Sequence, residues 1–335
     1  MINRKGYIYG LIFILLLSFF LNISLGSVLI PIKEWQAFLH NSGIAEHYSQ
    51  IIDYRLSKAI MAIIAGSGLA ISGLLMQTMF RNPIVGPYVL GLSSGAGLGV
   101  AVLILGSTIF GIHYIPQFGI SVASALGSTL SLFLLIAFYY KFPHSANLLI
   151  TGLMLGIFSG AIISILSYFT QADALQKYVF WSMGNLGNVK PAEIIFVGII
   201  LIISIFISLL NMKKFNILLL GEQYAVSMGV KLKIIHLLII LITGILVGSI
   251  TSVTGPIGFI GLAVPHITRS IFKTQLHQYL IPGSLLTGSI LLLLCDTVSQ
   301  VPGSVLTLPI NSITSLIGVP LVIYLIYKKN QGFET

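Results

Sequence analysis

The sequence is poor in charged residues. Asp, Glu, Lys and Arg make up 7% of its 335 residues, whereas hydrophobic residues make up 56% and the mean hydropathy is +1.02. A soluble globular domain carries about a quarter charged residues, because its surface has to be hydrated. The scarcity of charge therefore excludes a soluble enzyme or soluble binding domain, and it indicates a chain that lies mostly in lipid.

Cysteine is almost absent, and so are the short motifs of catalysis. The single Cys295 lies inside an apolar run, which leaves neither a disulfide framework nor a C-x-x-C pair. No G-x-x-x-x-G-K-[ST] loop and no H-E-x-x-H helix occur in the chain. The chain therefore cannot hydrolyse ATP through a phosphate-binding loop of its own. We expect a protein that is not an enzyme and that holds no catalytic residue, metal or cofactor.

Ionisable side chains are scarce within the apolar runs. Ion-coupled transporters usually place Asp, Glu or His inside their spans as proton or sodium sites. Here Asp296 is the clear acid near a run, and His236, His266 and His277 fall near the ends of others. The sequence therefore favours an energy source on a partner.

The sequence does contain ten apolar segments. At a rise of 1.5 Å per residue, about 20 residues cross a hydrocarbon core of about 30 Å. The segments lie at 7–30, 58–79, 89–110, 116–140, 145–169, 192–210, 234–253, 257–268, 279–298 and 311–327. The eighth is too short for a full crossing. The pattern predicts an all-α polytopic membrane protein with about ten transmembrane helices in one domain over 1–335, the first segment being retained rather than cleaved as a signal.

The basic residues are distributed unevenly between the two ends of these segments. If the N-terminus lies in the cytoplasm, twelve of the 17 Lys and Arg residues fall on the inside, and most acids fall outside. The twelve are Arg4, Lys5, Arg81, Lys141, Lys213, Lys214, Lys231, Lys233, Arg269, Lys273, Lys328 and Lys329. This bias follows the positive-inside rule and predicts a cytoplasmic-membrane protein with both termini in the cytoplasm.

Two stretches interrupt the apolar pattern with helix-breaking residues. The first contains Asn82, Pro83, Pro87 and Gly91, and the second contains Gly255, Pro256, Gly261 and Pro265. Non-helical backbone survives in a membrane only where protein or a water-filled cavity satisfies its polar groups. We therefore expect both stretches to line a central pathway, with a turn at 255–261 that does not face lipid. Ordinary tight turns are the alternative.

The two interruptions also resemble each other. GPYVLGL at 86–92 is similar to GPIGFIGL at 255–262, and each follows a long segment that contains glycines. These two long segments, 58–79 and 234–253, are the second and the seventh of the ten. Because they are five segments apart, they run in opposite directions through the membrane. The similarity predicts an inverted internal repeat with halves of about 1–170 and 190–335. Because the match is short and rich in glycine, chance similarity is the alternative.

The longest segment on the predicted cytoplasmic side spans residues 211–233. It contains GEQYAVSMGV, in which Tyr224 and Met228 are four residues apart, with Ala225 and Gly229 alongside. This spacing predicts a short amphipathic helix outside the bilayer. Such a helix suits a docking surface for a soluble subunit, and an inert connector is the alternative.

Four stretches of the sequence form a recognisable set. They are RLSKAIMAIIAGSGLAISGLLMQTMFRNPIVGPYVLGLSSGAGLG (55–99), LLLGEQYAVSMGV (218–230), GPIGFIGLAVPHITR (255–269) and LPINSITSLIGVPLVIYLI (308–326). Together they resemble the FecCD-type permeases, the membrane subunits of binding-protein-dependent ABC importers for iron–siderophore complexes, haem and vitamin B12. The resemblance implies ten helices per subunit and a second permease subunit, identical or a paralogue. It further implies two cytoplasmic ATPases that bind ATP and Mg²⁺, and a periplasmic or lipoprotein substrate-binding protein. A nucleic-acid partner is not expected, because the 17 basic residues are scattered as single residues or pairs and form no cluster that would follow a phosphate backbone.

The resemblance also implies a helix that couples the permease to the ATPase. By analogy this coupling helix fits a groove on the ATPase, so that ATP binding and release move the spans between outward and inward access. The matching residues are Gly221, Glu222, Ala225, Met228 and Gly229.

Arg55, Lys58 and Ser145 match functional positions of the family, whereas Gln300 departs from one. Arg55 and Lys58 match outer basic residues that pair with acids on the binding protein, and interfacial anchoring is their alternative role. Gln300 stands where a further basic residue is often found. Ser145 resembles the inner gate region, although serine at a helix start is also a common cap.

These features predict a permease subunit that moves an iron–siderophore complex into the cytoplasm, with haem or vitamin B12 as alternative cargoes. An ion-coupled secondary transporter, which works without an ATPase, stays open because of the inverted similarity. GLSSG at 91–95 fits the G-x-S-x-G pattern, so a non-transporting scaffold or an intramembrane hydrolase using Ser93 is a further alternative. ATP-dependent uptake distinguishes the permease from these.

Overall fold

The computed structural model describes residues 4–26, 28, 30–40, 46–109, 116–187, 189–301 and 307–331. Within these residues the regular elements are fourteen α-helices and one 3₁₀ helix, Pro87–Leu90. The α-helices are α1 Arg4–Ser24, α2 Ile32–Leu39, α3 Glu46–Phe80, α4 Leu92–Ile109, α5 Gln117–Lys141, α6 Ser145–Phe169, α7 Ala172–Ser182, α8 Pro191–Leu210, α9 Met212–Leu218, α10 Glu222–Ser227, α11 Leu232–Thr254, α12 Ile260–Phe272, α13 His277–Ser299 and α14 Ile310–Gln331. The predicted all-α class is confirmed. The two chain ends, whose side of the membrane was predicted, lie in part outside the described residues.

Seven helices in the described part are long and apolar enough to cross a membrane, namely α1, α3, α5, α6, α8, α11 and α13. The other three predicted segments overlap α4, α12 and α14. With 13 residues, α12 is about 20 Å long, too short for a complete crossing. The chain is thus an all-helical, multi-pass membrane protein, and the inverted repeat stays a prediction.

Several helix boundaries differ from the apolar runs. The first predicted segment, 7–30, is helical only as far as Ser24. α3 begins at Glu46, well before the predicted start at 58, because a helix continues beyond the apolar core where its polar side chains meet water. α7 was not predicted, since its mixed polar and apolar residues form no apolar run.

α3 forms the centre of the bundle. Most of its residues between Ala59 and Met79 are buried, and it packs against α8, α11, α12 and α13. A Cβ atom added to Gly66 would overlap the carbonyl oxygen of Gly288 in α13, and one added to Gly73 would overlap that of Gly261 in α12. Such small residues let the backbones of membrane helices approach closely. The glycines of α3 therefore fix the positions of α12 and α13.

α5, α6 and α8 present apolar faces to the outside of the bundle. Phe133, Phe158 and Phe206, one from each helix, are all more than half exposed. In a chain that spans a membrane, such faces contact lipid tails or another apolar protein surface.

Candidate pathway and coupling sites

The first interruption begins where α3 ends. Arg81 adopts a left-handed conformation with φ of 48°, and the Asn82 side-chain oxygen accepts a hydrogen bond from the backbone two residues later at 3.0 Å. Pro83 is partly buried in this turn. Pro87 then opens the 3₁₀ helix, and Gly91 closes it with φ of 69°, a conformation that favours glycine. The chain thereby changes direction before α4.

The second interruption ends α11. Gly255 has φ of 70°, and a Cβ atom there would lie 2.5 Å from the carbonyl oxygen of Trp181. Beyond the partly buried Pro256, the backbone N–H of Gly258 donates to the Asn311 side chain of α14 at 2.8 Å. The Asn185 N–H donates to the last carbonyl of α11 at 2.7 Å. Protein groups therefore satisfy this irregular backbone, as membrane depth requires.

The two interruptions pack against each other. A Cβ atom added to Gly261 would lie 2.6 Å from Pro87 Cδ and 2.8 Å from the carbonyl oxygen of Leu69 in α3. Pro265 lies buried within α12. The turn at 255–261 is thus held inside the protein and leads into a short helix, while a role of these residues in a pathway stays a prediction.

The segment 211–233 contains two short helices, α9 and α10. Gly221 precedes α10 with φ of 123°, and Gly229 follows it with φ of 80°. Ala225 is fully buried, whereas Tyr224 and Met228 are 54% and 53% exposed. The predicted helix is therefore present, with one buried and one exposed side, and its docking role stays a prediction.

The structure joins two residues to which the sequence assigned different roles. The Ser145 hydroxyl donates to Glu222 Oε1 at 3.1 Å, which ties the start of α6 to the first turn of α10. The N-cap of α6 is His144, without a side-chain capping bond, so Ser145 does not act as the cap. Nearby, the Tyr139 hydroxyl lies 3.0 Å from His236 Nδ1 and links α5 to α11. The sequence did not predict the contact between Tyr139 and His236. Its only sign in the sequence was that His236 lies near the end of an apolar run.

Arg55 and Lys58, the two predicted docking residues, point into the protein. Arg55 is 5% exposed and donates to the carbonyl oxygens of Ile23 at 3.0 Å and Val28 at 2.6 Å. The Lys58 ammonium lies 3.0 Å from Asp296 Oδ1, and its residue is 7% exposed. The sequence did not predict the partners of Arg55 or Lys58, because a pattern of apolar residues does not indicate which oxygen atoms a basic side chain contacts. Both side chains are therefore engaged within the chain, and their docking role stays a prediction.

Asp296 is the centre of a buried polar network. Its second carboxylate oxygen accepts hydrogen bonds from Asn22 Nδ2 at 3.0 Å and Gln300 Nε2 at 2.9 Å. A buried carboxylate is tolerated when its charge is paired and its other lone pairs are satisfied. Gln300, for which the resemblance implies a cation, donates to the acid, and Asn22 fixes α1 against α13.

A cavity of about 300 Å³ lies over Lys58 and Asp296, at the opposite end of α3 from α10. Tyr54, Asn185 and Ser299 also line it. Among the described residues, no group of three His, Cys, Asp or Glu side chains is placed to hold a metal ion. This cavity is therefore polar without offering a set of metal ligands.

Known proteins share this sequence pattern over almost the full chain. The model of the FecCD transport family matches residues 14–328. The hemin transport system permease protein HmuU of Yersinia pestis is 32% identical over 282 residues, which cover 84% of each chain. The vitamin B12 import system permease protein BtuC of Klebsiella pneumoniae is 30% identical over 327 residues, 97% of this chain and 95% of the relative.

A solved structure shows the same fold. It is an inward-facing conformation of an ABC transporter assigned to the metal-chelate type, with 28% sequence identity and a TM-score of 0.83. The match covers 97% of this chain and all of the other. The chain therefore belongs to the FecCD transport family and is the permease subunit of an ABC importer, a subunit that is not itself catalytic and binds no cofactor, since ATP is bound by the partner ATPase.

Proposed function

We propose that this permease moves an iron–siderophore complex into the cytoplasm, driven by its partner ATPases. The solved relative of metal-chelate type supports this cargo. The hemin and vitamin B12 relatives make haem and cobalamin the other candidates.

The observation that carries the ATP-driven mechanism is the hydrogen bond between Ser145 and Glu222. The exposed side of α10, with Tyr224 and Met228, suits a groove on the ATPase, while Ala225 rests on the permease. A displacement of α10 by the ATPase would therefore reach the start of α6 directly. In this proposal Gly221, Glu222, Ala225, Met228 and Gly229 form the coupling surface, and Ser145 belongs to the inner gate.

Cargo identity is tested in proteoliposomes that contain the permease, its ATPases and its binding protein. A ferric siderophore, haem and cobalamin are each offered in labelled form. We expect ATP-dependent accumulation of the iron–siderophore complex. Accumulation of haem or cobalamin alone would contradict the proposed cargo and leave the importer function in place.

The variant Ser145→Ala is expected to weaken coupling. It removes the donor to Glu222 without changing the exposed side of α10, and a hydrogen bond to a charged group contributes about 1.5–3 kcal/mol when buried and less at this partly exposed site. We expect uptake per ATP hydrolysed to fall roughly three- to tenfold, with ATPase assembly unchanged by co-purification.

The matched control for this variant is Ser164→Ala, on the same helix. The Ser164 hydroxyl is exposed and donates to the Gly160 carbonyl within α6, towards the other end of that helix from Ser145, so its loss should leave uptake per ATP hydrolysed unchanged. Ser145→Thr, which keeps the hydroxyl, should retain most of the activity. Equal uptake per ATP hydrolysed in the Ser145→Ala and Ser164→Ala proteins would argue against transmission through the contact between Ser145 and Glu222.

The outer end of the bundle is our proposed docking surface for the binding protein. Lys58 is paired with Asp296, so an acid on the binding protein would have to compete with Asp296 for the ammonium group. Arg55 binds two carbonyl oxygens near the end of α1, which also suits its alternative role as an anchor. Both residues stay our candidates for docking.

A second permease subunit, identical or a paralogue, is proposed to complete the pathway. The apolar faces of α5, α6 and α8 offer surface that such a subunit and lipid would cover. We propose that both termini are cytoplasmic, on the side of α10, where most basic residues fall. The contact between Pro87 and Gly261 supports inverted repeats at about 1–170 and 190–335, because it brings the two similar stretches together.

A further inference from the structure

A second cavity lies at the end of α3 next to the coupling segment. Its volume is about 410 Å³, and it is enclosed by the end of α3, the end of α9, α12 and the connection from α12 to α13. Its polar lining residues are Gln77, Arg81, His266, Arg269, Ser270 and Gln275. The described lining thus contains two guanidinium groups and no carboxylate.

Arg269 carries a charge that no acid of the described chain balances. Its guanidinium donates to Gln77 Oε1, a neutral partner. A guanidinium group stays charged at neutral pH even when it is partly buried. Among the described residues, Lys58 and Asp296 form the one ion pair closer than 4 Å, and this pair lies at the other end of α3. A partly buried charge without a counter-ion is costly, and proteins usually pair such charges.

The Gln77 amide holds this guanidinium in a fixed orientation. Gln77 is 2% exposed, and its Nε2 donates to the carbonyl oxygen of Leu262 in α12 at 3.2 Å. The side-chain oxygen of Gln77 is therefore directed at Arg269. The guanidinium has five N–H donors in a rigid fork, so donors remain for a ligand in the cavity.

Arg81 supplies the second cation at the exposed edge of the same cavity. Its Nη1 lies 3.3 Å from the position of a Cβ atom on Gly221, so the side chain reaches towards the start of α10. Guanidinium groups bind phosphate through paired, charge-assisted hydrogen bonds. Ser270 and Gln275 add a hydroxyl and an amide to the lining.

We propose that this cavity binds a phosphate-type oxyanion, either free phosphate or the headgroup of an anionic phospholipid. The bound anion neutralises Arg269 and connects α12 to the turn at Arg81, beside the coupling helix. The site is independent of the cargo and of the proposed coupling contact between Ser145 and Glu222.

The test uses the full chain in two settings that distinguish the sources of phosphate. In uncharged detergent micelles, inorganic phosphate is titrated by calorimetry. In nanodiscs that contain phosphatidylglycerol, native mass spectrometry counts the retained lipid. We expect saturable binding in at least one setting, weakened at least about tenfold in Arg269→Gln, because the variant loses a charge-assisted bond.

Lys214→Gln is the matched control, since Lys214 is an exposed cation on the neighbouring α9 and bonds only to Asn211 among the described residues. It should bind as the unmodified chain does. Phosphate binding alone identifies a free anion, and lipid retention alone identifies a headgroup. If Arg269→Gln does not fold, Arg81→Gln at the cavity edge provides the same comparison. Binding that does not saturate in either setting, or that is equal in the arginine variants and the control, would overturn the proposal.

Discussion

Replacing Gly73 with alanine is expected to destabilise the helix bundle strongly. A Cβ atom on Gly73 would overlap the carbonyl oxygen and Cα of Gly261, which are backbone atoms and cannot rotate away as a side chain could. α12 would have to move from α3, and Gly261 would lose its packing against Pro87. Overpacking of a tight interior costs about 1–3 kcal/mol and more where backbone is displaced, so we expect a loss of about 3 kcal/mol or more.

The Gly73→Ala protein is compared with the unmodified chain by size-exclusion chromatography and thermal unfolding in detergent. Gly160→Ala is the matched control, because Gly160 is also helical but has no atom within 4 Å of an added Cβ. It should elute and unfold as the unmodified chain does. A Gly73→Ala protein with the same unfolding temperature as the control would show that α3 and α12 do not cross this closely.

The variant Lys58→Met is expected to destabilise the protein by about 3–5 kcal/mol. It removes the cation 3.0 Å from Asp296, which is 1% exposed, and leaves a buried carboxylate without a counter-charge. Asn22 and Gln300 would still donate to that carboxylate, but two amides do not neutralise it. The unfolding midpoint should fall sharply.

The double variant Lys58→Met with Asp296→Asn tests the electrostatic cause, because the amide removes the charge and keeps an oxygen that can accept from Asn22 and Gln300. Removing both charges should recover most of the stability, because the cost lies in the unpaired charge and not in the loss of the pair. The double variant also tests docking: if Lys58 contacts the binding protein, affinity for that protein should stay reduced although the fold is restored. A double variant no more stable than Lys58→Met would contradict the ion-pair explanation.

The apolar pattern predicted most of the helices because the length of an apolar run is a local property. The fifth segment was predicted at 145–169, and α6 spans Ser145–Phe169. The predicted start of the second segment at 58 was wrong, because α3 begins at Glu46 and its first part is too polar to belong to an apolar run. α7 was missed for the same reason.

The candidate sites were predicted residue by residue but not as contacts. Ser145 and Glu222 are 77 residues apart, and no local pattern reports that one donates to the other. Likewise, the charges of Arg55 and Lys58 are visible in the sequence, whereas their carbonyl and carboxylate partners arise only when α1 and α13 pack against α3. Tertiary packing therefore decides which predicted residues act together.

The central claim is that transport by this chain is driven by a partner ATPase acting through α10. The most direct measurement is uptake of the labelled iron–siderophore complex into proteoliposomes, with and without the ATPase and with the Gly229→Val variant, which is strained at φ of 80°. We predict ATP-dependent accumulation that requires the ATPase and is strongly reduced by the variant. Accumulation without any ATPase, driven by an ion gradient, would contradict the account.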